Sequence, residues 1–447
     1  MLTADGRTSA SPWTKLPNAP QINFYEAALA RTANGTLHVV YARNGGPTQD
    51  IWHVPIAGGR VGAATAIASA WAGVENPDVV VAPDGSLRAF WGGIKSTDPA
   101  NTNNALNTAS APADGSSWAL QPGRVSPDSN AYVSPTAAAV TKDGQFVQAT
   151  TSTFGLGFHY GLTTATPQTR VPGNCCYYDP GIAVDSVSGQ TVVGWYSNES
   201  PSSVGSSAGS GMFLQEISPA GLVGTRRLAP GSATADGKSA LSTGYRTAVT
   251  GRIGAAGVYL VYGAGYPTFL KVDVLRFGSA TPVLQIPADG AQGANVAAAP
   301  QGRLWVFWKR DNVIYVTRTN RAVTRLEPLS TVAPPPGTDT IWRLDGEGSL
   351  GALDLVANIQ TSDAAFWYRR ILPQLSLHAS ALGAGEARFV VTDAGDPLAG
   401  AKVRFRGRAG TTNGSGVVTL QLPLGPGNAT AAKAGYVGAS TRLVIRS

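Results

Sequence analysis

The chain repeats one hydrophobic pattern, in which a glycine-containing turn is followed by alternating apolar and polar residues that tend to end on an aromatic side chain. The copies are residues 34–41 (NGTLHVVY), 84–91 (DGSLRAFW), 143–150 (DGQFVQAT), 188–195 (SGQTVVGW), 256–262 (AGVYLVY), 301–308 (QGRLWVFW) and, more weakly, 347–350 (EGSL). A period of two predicts strands, and the glycine predicts a hairpin turn before each one. The turn glycines recur about every 45 to 68 residues, which is near the length of a four-stranded propeller blade.

Short runs of small apolar residues precede most copies. They are residues 25–30 (YEAALA), 78–82 (DVVVA), 135–140 (PTAAAV), 181–184 (GIAV), 246–249 (RTAV) and 294–299 (ANVAAA). Small side chains suit the innermost strand of a blade, which crowds its neighbours near the central axis. A third strand follows the aromatic one in residues 50–55 and 312–317, whereas the Gly/Ser/Pro/Ala-rich segments 200–211 and 229–238 predict surface loops.

After residue 373 the strands become more closely spaced. The apolar runs there are residues 387–392 (ARFVVT), 400–405 (GAKVRF), 416–422 (GVVTLQL) and 440–445 (STRLVI). We therefore predict an all-β chain with two domains: a β-propeller in residues 1–373 and a small β-sandwich in residues 374–447. Seven blades are predicted for the propeller, with six as the alternative, and the N-terminal residues are expected to complete the last blade.

Composition agrees with this fold and narrows the choice of partner. The chain has 54 Gly, 30 Pro and only 14% charged residues, so turns are frequent and amphipathic helices hard to find. The net charge of +7 arises from few acids, and no Lys/Arg cluster with interleaved aromatics is evident, so nucleic acid is not an expected partner. The excess of basic over acidic residues indicates either a weakly cationic surface with no special role or a surface that attracts an acidic polymer such as a uronic-acid polysaccharide.

The sequence also bears on where in or outside the cell the protein works. No apolar stretch has the length of a membrane span, and the first residues lack the basic and apolar segments of a signal peptide. A mature secreted protein and an intracellular protein both fit; we expect secretion, because the chain is rich in Ser, Thr, Gly and Asn and carries a small C-terminal β module. The oligomeric state is left open.

Two parts of the chain resemble known families. The repeat resembles sialidase-type or BNR-like propellers of six or seven blades. Residues 395–403 (GDPLAGAKV) and 411–418 (TTNGSGVV) resemble the immunoglobulin-like or carboxypeptidase-regulatory-like modules of secreted bacterial proteins. The resemblance implies the same two-domain fold, but no catalytic residue carries over, because neither the intact Ser-x-Asp-x-Gly-x-Thr-Trp box nor the Phe/Tyr-Arg-Ile-Pro motif is present.

A ligand of a propeller is expected at the mouth of the central channel, where the residues that lead into the inner strands converge. These residues are aromatic, amide, carboxylate and arginine side chains, and a sugar needs such groups because aromatic faces stack on its ring while amides and charges hold its hydroxyls. The ligand-binding candidates are Tyr25, Asn76, Tyr132, Cys175, Cys176, Tyr177, Tyr178, Asn295, Trp342 and Arg343.

The two cysteines of the chain, Cys175 and Cys176, are adjacent. A disulfide between neighbours needs a distorted peptide and forms a stiff turn, which could pack against a ligand beside Tyr177 and Tyr178. Two reduced cysteines, or a disulfide that only shapes a loop, are the alternatives. The four histidines show no metal-ligand spacing, so no cofactor is predicted, and a structural calcium ion is left open.

Two kinds of catalysis are considered. Glycoside hydrolysis needs two carboxylates, and the candidates by position are Glu26, Glu75, Asp78 and Asp179, each with a solvated or turn-capping role as the alternative. Elimination from a uronate needs a base and a cation, which Tyr245 and Arg246, helped by Arg343, would supply; such lyases occur on seven-bladed propellers, and a structural role for Arg246 is the alternative.

Three functions follow from the sequence. The first is a secreted propeller that recognises a glycan, acidic or neutral, at the channel mouth. The second is a carbohydrate-active enzyme, either a polysaccharide lyase or a glycosidase. The third is a scaffold or adhesion propeller that binds another protein. Fold alone does not choose among these functions.

Overall fold

The computed structural model describes residues 11–18, 25–44, 46–95, 105–125, 136–152, 155–165, 168–171, 177–197, 210–233 and 246–446. Nearly all regular structure in these residues is antiparallel β-sheet, with a single 3₁₀ turn at Pro300–Gly302. The all-β prediction is confirmed. None of the described residues forms a helix of the length and apolar character that a membrane crossing requires.

Seven sheets follow one another along the described chain, after a short strand β1 (Thr14–Lys15). The first sheet contains β2 (Ala27–Arg31), β3 (Leu37–Asn44), β4 (Gln49–Ala57), β5 (Arg60–Val61) and β6 (Thr65–Trp71). The second contains β7 (Gly73–Val74), β8 (Asp78–Val81), β9 (Leu87–Ile94), β10 (Ala105–Ala111) and β11 (Ala119–Leu120). The third contains β12 (Thr136–Val140), β13 (Phe146–Ser152), β14 (Gly155–Tyr160) and β15 (Thr169–Arg170), and the fourth contains β16 (Tyr177–Val184), β17 (Thr191–Ser197), β18 (Gly211–Ser218) and β19 (Gly221–Leu228).

The last three sheets have the same form. The fifth sheet contains β20 (Ala248–Gly251), β21 (Val258–Ala264), β22 (Lys271–Arg276) and β23 (Leu284–Pro287). The sixth contains β24 (Gln292–Ala299), β25 (Arg303–Arg310), β26 (Val313–Arg318) and β27 (Ser330–Val332). The seventh contains β28 (Thr340–Glu347), β29 (Leu353–Gln360) and β30 (Ala364–Ile371). The fourth strand of the seventh sheet is β1, which pairs antiparallel with β30 through Thr14 opposite Tyr368 and Lys15 opposite Trp367. The N-terminal strand therefore completes the last sheet, as predicted.

The innermost strands of the sheets, β2, β8, β12, β16, β20, β24 and β28, are neighbours in that order, and β28 also lies beside β2. This closed ring is the arrangement of a β-propeller. Its tight centre explains the small residues of these strands. At Gly181 in β16, a Cβ atom would lie 2.1 Å from the carbonyl oxygen of Thr247, so only glycine fits where the fourth and fifth sheets meet.

The aromatic residues that end five of the seven sequence repeats pack between the sheets. Tyr41, Trp91, Trp195, Tyr262 and Trp308 are all buried on second strands. Their large apolar surfaces fill the space between neighbouring sheets, and their burial stabilises the ring.

Two more sheets follow the ring. They contain β31 (Leu375–Gly383), β32 (Glu386–Asp393), β33 (Asp396–Pro397) and β36 (Val417–Gln421), and β34 (Lys402–Phe405), β35 (Arg408–Thr411), β37 (Gly425–Ala432) and β38 (Ala439–Ile445). Side chains of both sheets, among them Phe389, Val391, Val403 and Phe405, share one hydrophobic core.

Buried arginines join these C-terminal sheets to the sixth sheet of the ring. Arg318 and Arg303 both pair with the Asp393 carboxylate, and Arg303 Nη1 lies 2.7 Å from Asp396 Oδ2. The Tyr436 hydroxyl donates to Asp393 Oδ2 at 2.9 Å. We call these five residues the junction cluster.

A buried histidine pair lies in the first sheet. The Nδ1 atom of His38 in β3 is 2.9 Å from the Nε2 atom of His53 in β4, the two rings are stacked, and Trp118 packs edge-on against His53. Burial lowers the pKa of His38 to about 4 and that of His53 to about 3. Both imidazoles are therefore neutral in the folded protein at neutral pH.

This pair should make the folded protein sensitive to acid. Because the folded-state pKa values lie below the ordinary 6.5, the unfolded chain binds more protons as the pH falls. The stability that the neutral pair contributes is complete above pH 6.5 and declines toward pH 3. We expect the double variant His38→Asn/His53→Gln to show a smaller loss of unfolding free energy between pH 7 and 5 than the wild type in urea titrations. The exposed His378→Asn should keep the wild-type slope; equal slopes in all three proteins would contradict this prediction.

Candidate functional site

Six ionisable side chains converge at the innermost strands, four of them near the points where those strands begin. Each comes from one of five sheets of the ring, and together they form what we call the central charge cluster. Its members are Glu26 before β2, Asp78 in β8, Asp179 in β16, Arg246 before β20, and Arg343 and Asp345 in β28. The ring brings together side chains that are far apart in sequence, with four carboxyl groups against two guanidinium groups.

Arg246 spans the centre of the cluster. From its position before β20 it reaches the second and third sheets, where Nη2 donates to the carbonyl oxygens of Pro77 at 2.6 Å and Thr136 at 3.5 Å. Its Nη1 lies 3.6 Å from Asp78 Oδ1. The pKa of Arg246 is raised because Asp78, Glu26, Asp345 and Asp179 outweigh the effect of burial, so this guanidinium keeps its charge.

Glu26 lies opposite Arg246 and is almost fully buried. Its Oε1 atom accepts the backbone N–H of Arg246 at 2.7 Å and is 3.8 Å from Nε of Arg343. Its Oε2 atom is buried and has no hydrogen-bond partner among the described residues. Burial, with added repulsion from Asp345 and Asp179, raises the pKa of Glu26 to about 8. This carboxyl group therefore holds a proton at neutral pH.

The other carboxyl groups differ in what they contact. Asp345 Oδ2 accepts the N–H of Ala27 at 3.0 Å, and Asp78 Oδ2 accepts the N–H of Ala138 at 2.7 Å. Each of these bonds joins the innermost strands of adjacent sheets. Burial raises the pKa of Asp345 to about 6 and also raises the pKa of Asp78, against the opposing effect of Arg246.

Asp179 approaches from the fourth sheet. Burial raises the pKa of its carboxyl group, while Arg343 and Arg246 oppose that rise. Its carbonyl oxygen accepts both the N–H and the hydroxyl of Thr247 at 2.9 Å, which holds the fifth sheet beside the fourth.

Three of the innermost strands have irregular register near the site. The irregularities lie between Tyr178 and Gly181 in β16, between Gln292 and Asn295 in β24, and between Ile341 and Arg343 in β28. A bulge bends a strand and redirects its side chains. Asp179 lies within the first irregularity and Arg343 at the edge of the third, so both reach the centre from strands that would otherwise run straight past it.

The predicted neutral residues surround the cluster. Asn76 Oδ1 accepts the N–H of Glu26 at 3.0 Å, and the Tyr25 hydroxyl donates to the Val74 carbonyl at 3.3 Å. Asn295 Nδ2 donates to the Leu344 carbonyl at 2.7 Å.

Trp342 is half-buried within β28, and its carbonyl accepts a bond from Arg343 Nη1 at 3.2 Å. Glu75 is half-buried, and its backbone N–H bonds to the Gly92 carbonyl at 2.8 Å.

Several predicted residues fall outside the described part of the chain. They are Tyr132, Cys175, Cys176 and Tyr245. Tyr177 and Tyr178 lie in β16, but the described features there are those of the backbone. The roles proposed for these six residues stay predictions.

Three polar residues near the site were missed from the sequence. Asp345 lies two positions after Arg343 on β28, so the period of a strand places both side chains on one face. Asn358 lies opposite Arg343 on the neighbouring strand and donates to the Tyr25 carbonyl at 2.9 Å. Lys309 on β25 has its pKa lowered to about 8 by burial and by Arg343. Only Asp345 had a sequence signal, which was this alternation.

The cluster suits acid–base chemistry and binding of polar or anionic groups. It combines a protonated carboxyl group with other carboxyl groups and with fixed guanidinium groups. Different environments give neighbouring carboxyl groups different pKa values, so that one can act as an acid and another as a base. Within the described residues, no group of three His, Cys, Asp or Glu side chains has the geometry to hold a metal ion.

Comparison with known proteins identifies no family. No protein-family model and no curated protein matches the chain. Among solved structures it is similar to an α-L-arabinofuranosidase from Fusarium graminearum, with 11% identity, a TM-score of 0.44, and coverage of 72% of this chain and 98% of that one. It is also similar to the polysaccharide lyase Uly1, with 10% identity, a TM-score of 0.44, and coverage of 80% and 90%.

A third solved structure, a protein of unknown function from Dyadobacter fermentans, has 11% identity, a TM-score of 0.46, and coverage of 81% of this chain and 99% of that one. Similarities this weak do not bear on the activity of this chain. Its function is therefore argued from its own residues.

Proposed function

We propose that the chain is a carbohydrate-binding protein whose ligand occupies the channel mouth at the central charge cluster. The propeller has seven blades in residues 1–373, closed by β1, and residues 374–447 form a separate β-sandwich domain. The protein works outside the cell, and its ligand is a glycan. The resemblance to BNR-like propellers remains part of this proposal.

The observation that supports the proposal is the convergence of Glu26, Asp78, Arg246 and Arg343 from different sheets. Arg246 keeps 17% and Asp78 13% of its side-chain surface exposed, so this pair is more accessible than Arg343 and Glu26, at 7% and 3%. A partly exposed guanidinium–carboxylate pair offers both donors and acceptors to sugar hydroxyls, and the guanidinium can hold the carboxylate of a uronic acid.

The proposal is tested by incubating the full chain with a panel of neutral and acidic polysaccharides. Retention on immobilised polymer measures binding, absorbance of unsaturated uronates detects elimination, and chromatography of reducing sugars detects hydrolysis. Binding to at least one polymer, competed by its own oligosaccharides, is expected. If no polymer is retained or cleaved, the protein-binding scaffold becomes the better assignment.

Glu26 favours a second candidate function, glycoside hydrolysis. A general acid must carry a proton at the working pH, and the raised pKa of Glu26, to about 8, meets that need. A second carboxyl group, Asp78 or Asp179, would act as the base or the nucleophile, because the attraction of an arginine opposes the rise in pKa that burial causes in each.

Replacing Glu26 with glutamine tests the second candidate. The amide cannot donate a proton to a leaving group but can still accept the Arg246 N–H, so turnover should fall by about 10²–10⁴-fold while the dissociation constant for the polymer changes little. In the wild type, activity that depends on this acid should decline as the pH rises through about 8.

A stability measurement gives an independent check. Because the folded-state pKa of Glu26 is raised, its contribution is complete below pH 4.5 and is lost as the pH rises through about 8. Glu26→Gln should remove that loss in urea titrations. A variant that keeps full turnover and the wild-type pH–stability curve would exclude Glu26 as the acid.

A further inference from the structure

The positive charge of the chain is concentrated at its C-terminal end. Residues 397–447 contain seven basic residues and no Asp or Glu. The basic residues are Lys402, Arg404, Arg406, Arg408, Lys433, Arg442 and Arg446. In residues 1–396 the other 27 Lys and Arg are matched by 27 Asp and Glu, so this last segment accounts for the whole net charge of +7.

Three of these cations share one face of a sheet. Lys402 and Arg404 alternate with the buried Val403 and Phe405 along β34, so their side chains point away from the core. Arg404 is opposite Thr430 in β37, and Thr430 is opposite Ser440 in β38.

Arg442 lies on the same outer face of β38, because Asn428 opposite it alternates with the buried Ala429 in the way that Thr430 does. Strand geometry places Lys402 and Arg404 about 7 Å apart, and β38 about 10 Å from β34. We call Lys402, Arg404 and Arg442 the basic face.

The basic face has no internal neutralisation. Within the described part of the chain, no ion pair joins Lys402, Arg404 or Arg442 to a carboxylate. Cations that are not paired inside the molecule keep their attraction for an external anion, and several on one face act together.

A groove runs over this face. It has a volume of about 680 Å³, and its lining includes Leu372, Lys402, Arg404, Thr430, Lys433 and Tyr436. The groove is open to solvent on one side, so part of a linear polymer can lie in it. One wall comes from Leu372, next to the last strand of the ring, and the junction cluster fixes that wall relative to the basic face.

We propose that the groove and the rest of the basic face beside it bind an anionic polysaccharide, one that bears repeated carboxylate or sulfate groups, through Lys402 and Arg404 in the groove and Arg442 next to it. The site is separate from the central charge cluster and does not depend on the function proposed for that cluster. Binding here would hold the protein on an acidic matrix while the channel mouth stays free.

A polysaccharide fits this face better than a nucleic acid or a lipid surface. The outer positions between the cations include Thr430, Ala432 and Ser440, whose small side chains offer no platform on which bases could stack. The aromatic ring that lines the groove, Tyr436, already lies against Arg318, and its hydroxyl donates to Asp393. Val444 is the large apolar side chain on the outer face of β38, and a single valine is too small an apolar surface to insert into a membrane.

The test compares two variants of equal charge. One is Lys402→Ala/Arg404→Ala/Arg442→Ala; the control is Arg60→Ala/Lys142→Ala/Arg388→Ala, which removes three exposed cations from other surfaces. Affinity is measured by biolayer interferometry on polygalacturonate, dextran sulfate and neutral dextran in a salt series. A DNA duplex and phosphatidylserine vesicles serve as other polyanions.

We expect the wild type and the control variant to bind at least one anionic polysaccharide, with an affinity that falls as the salt concentration rises. Neutral dextran should not bind to this face. The basic-face variant should bind at least tenfold more weakly, with an unchanged unfolding midpoint. Polygalacturonate alone would identify a carboxylated ligand, and dextran sulfate alone a sulfated one.

Equal losses in the two variants would overturn the proposal, since net charge alone would then explain binding. Tighter binding of DNA or of vesicles than of any polysaccharide would overturn it as well. If binding persists in the basic-face variant but is lost on substitution of the central charge cluster, the channel mouth is the binding site and the groove is not.

Discussion

Replacing Arg246 with alanine is expected to lower the free energy of unfolding by about 3–5 kcal/mol, the cost of removing one partner from a buried ionic network. The side chain donates to the Pro77 and Thr136 carbonyls and pairs with Asp78. Without it, the carboxyl groups of the cluster lose their main neutralising charge, and the second and third sheets lose their link to the fifth. Binding of a glycan at the channel mouth should be lost as well.

Urea titrations followed by tryptophan fluorescence measure this effect. Arg276→Ala is the matched control, because Arg276 is an exposed arginine in the same sheet as the strand that Arg246 precedes. Arg246→Lys keeps the charge but not the planar fork that contacts two carbonyls and a carboxylate, so an intermediate loss is expected. If alanine at position 246 costs no more than alanine at position 276, the cluster does not stabilise the ring.

Replacing Asp393 with alanine should release the C-terminal sheets from the propeller. Asp393 is buried and accepts bonds from Arg318 and from the Tyr436 hydroxyl, and it pairs with Arg303. Its loss leaves two buried guanidinium groups without their shared carboxylate, at a cost of about 3–5 kcal/mol at the interface. Because both parts have hydrophobic cores of their own, we expect them to unfold separately rather than together.

Differential scanning calorimetry and limited proteolysis follow this separation. The wild type should show one transition or closely coupled ones, whereas Asp393→Ala should show two, with faster cleavage near residues 372–374. Asp393→Asn, which can still accept the Tyr436 bond, should be intermediate. The exposed Asp363→Ala is the control, since its Lys15 partner is also exposed and such pairs contribute little. A single unshifted transition in Asp393→Ala would show that this carboxylate does not couple the two parts.

Much of the fold follows from local sequence. The hairpin turns at Asn34, Asp84 and Gln301 lie between the strands that the repeat predicts, because alternation and turn chemistry are properties of neighbouring residues. After residue 373, strands β31, β33, β35 and β37 were missed. The last two carry Gly, Ala, Thr and Asn in place of large apolar residues, and their pairing partners rather than their own propensity make them strands.

The candidate site was predicted only in part, for a different reason. Glu26, Asp78, Asp179, Arg246 and Arg343 were selected by their place beside inner strands, and the ring brings these five together. Which of them touch could not be read from the sequence, since Arg246 contacts Glu26, which lies 220 positions away.

The protonated state of Glu26 was also beyond sequence reasoning. It depends on burial and on Asp345, which lies inside β28 rather than before it. The basic face was overlooked because the net charge was considered only for the whole chain. Acidic and basic residues are equal in number in residues 1–396, whereas residues 397–447 contain no Asp or Glu.

The pairing of β1 with β30 also sets the order in which the molecule can be made. Thr14 leaves the ribosome more than 350 residues before its partner Tyr368, so the ring cannot close until nearly the whole propeller has been synthesised. Contacts between residues so distant in sequence are slow to form, because the entropy cost of closing a long loop is met before the hydrogen bonds between the strands form. We expect nascent chains that end before residue 364 to expose an unpaired edge on β29, and closure to be the late, rate-limiting step of folding.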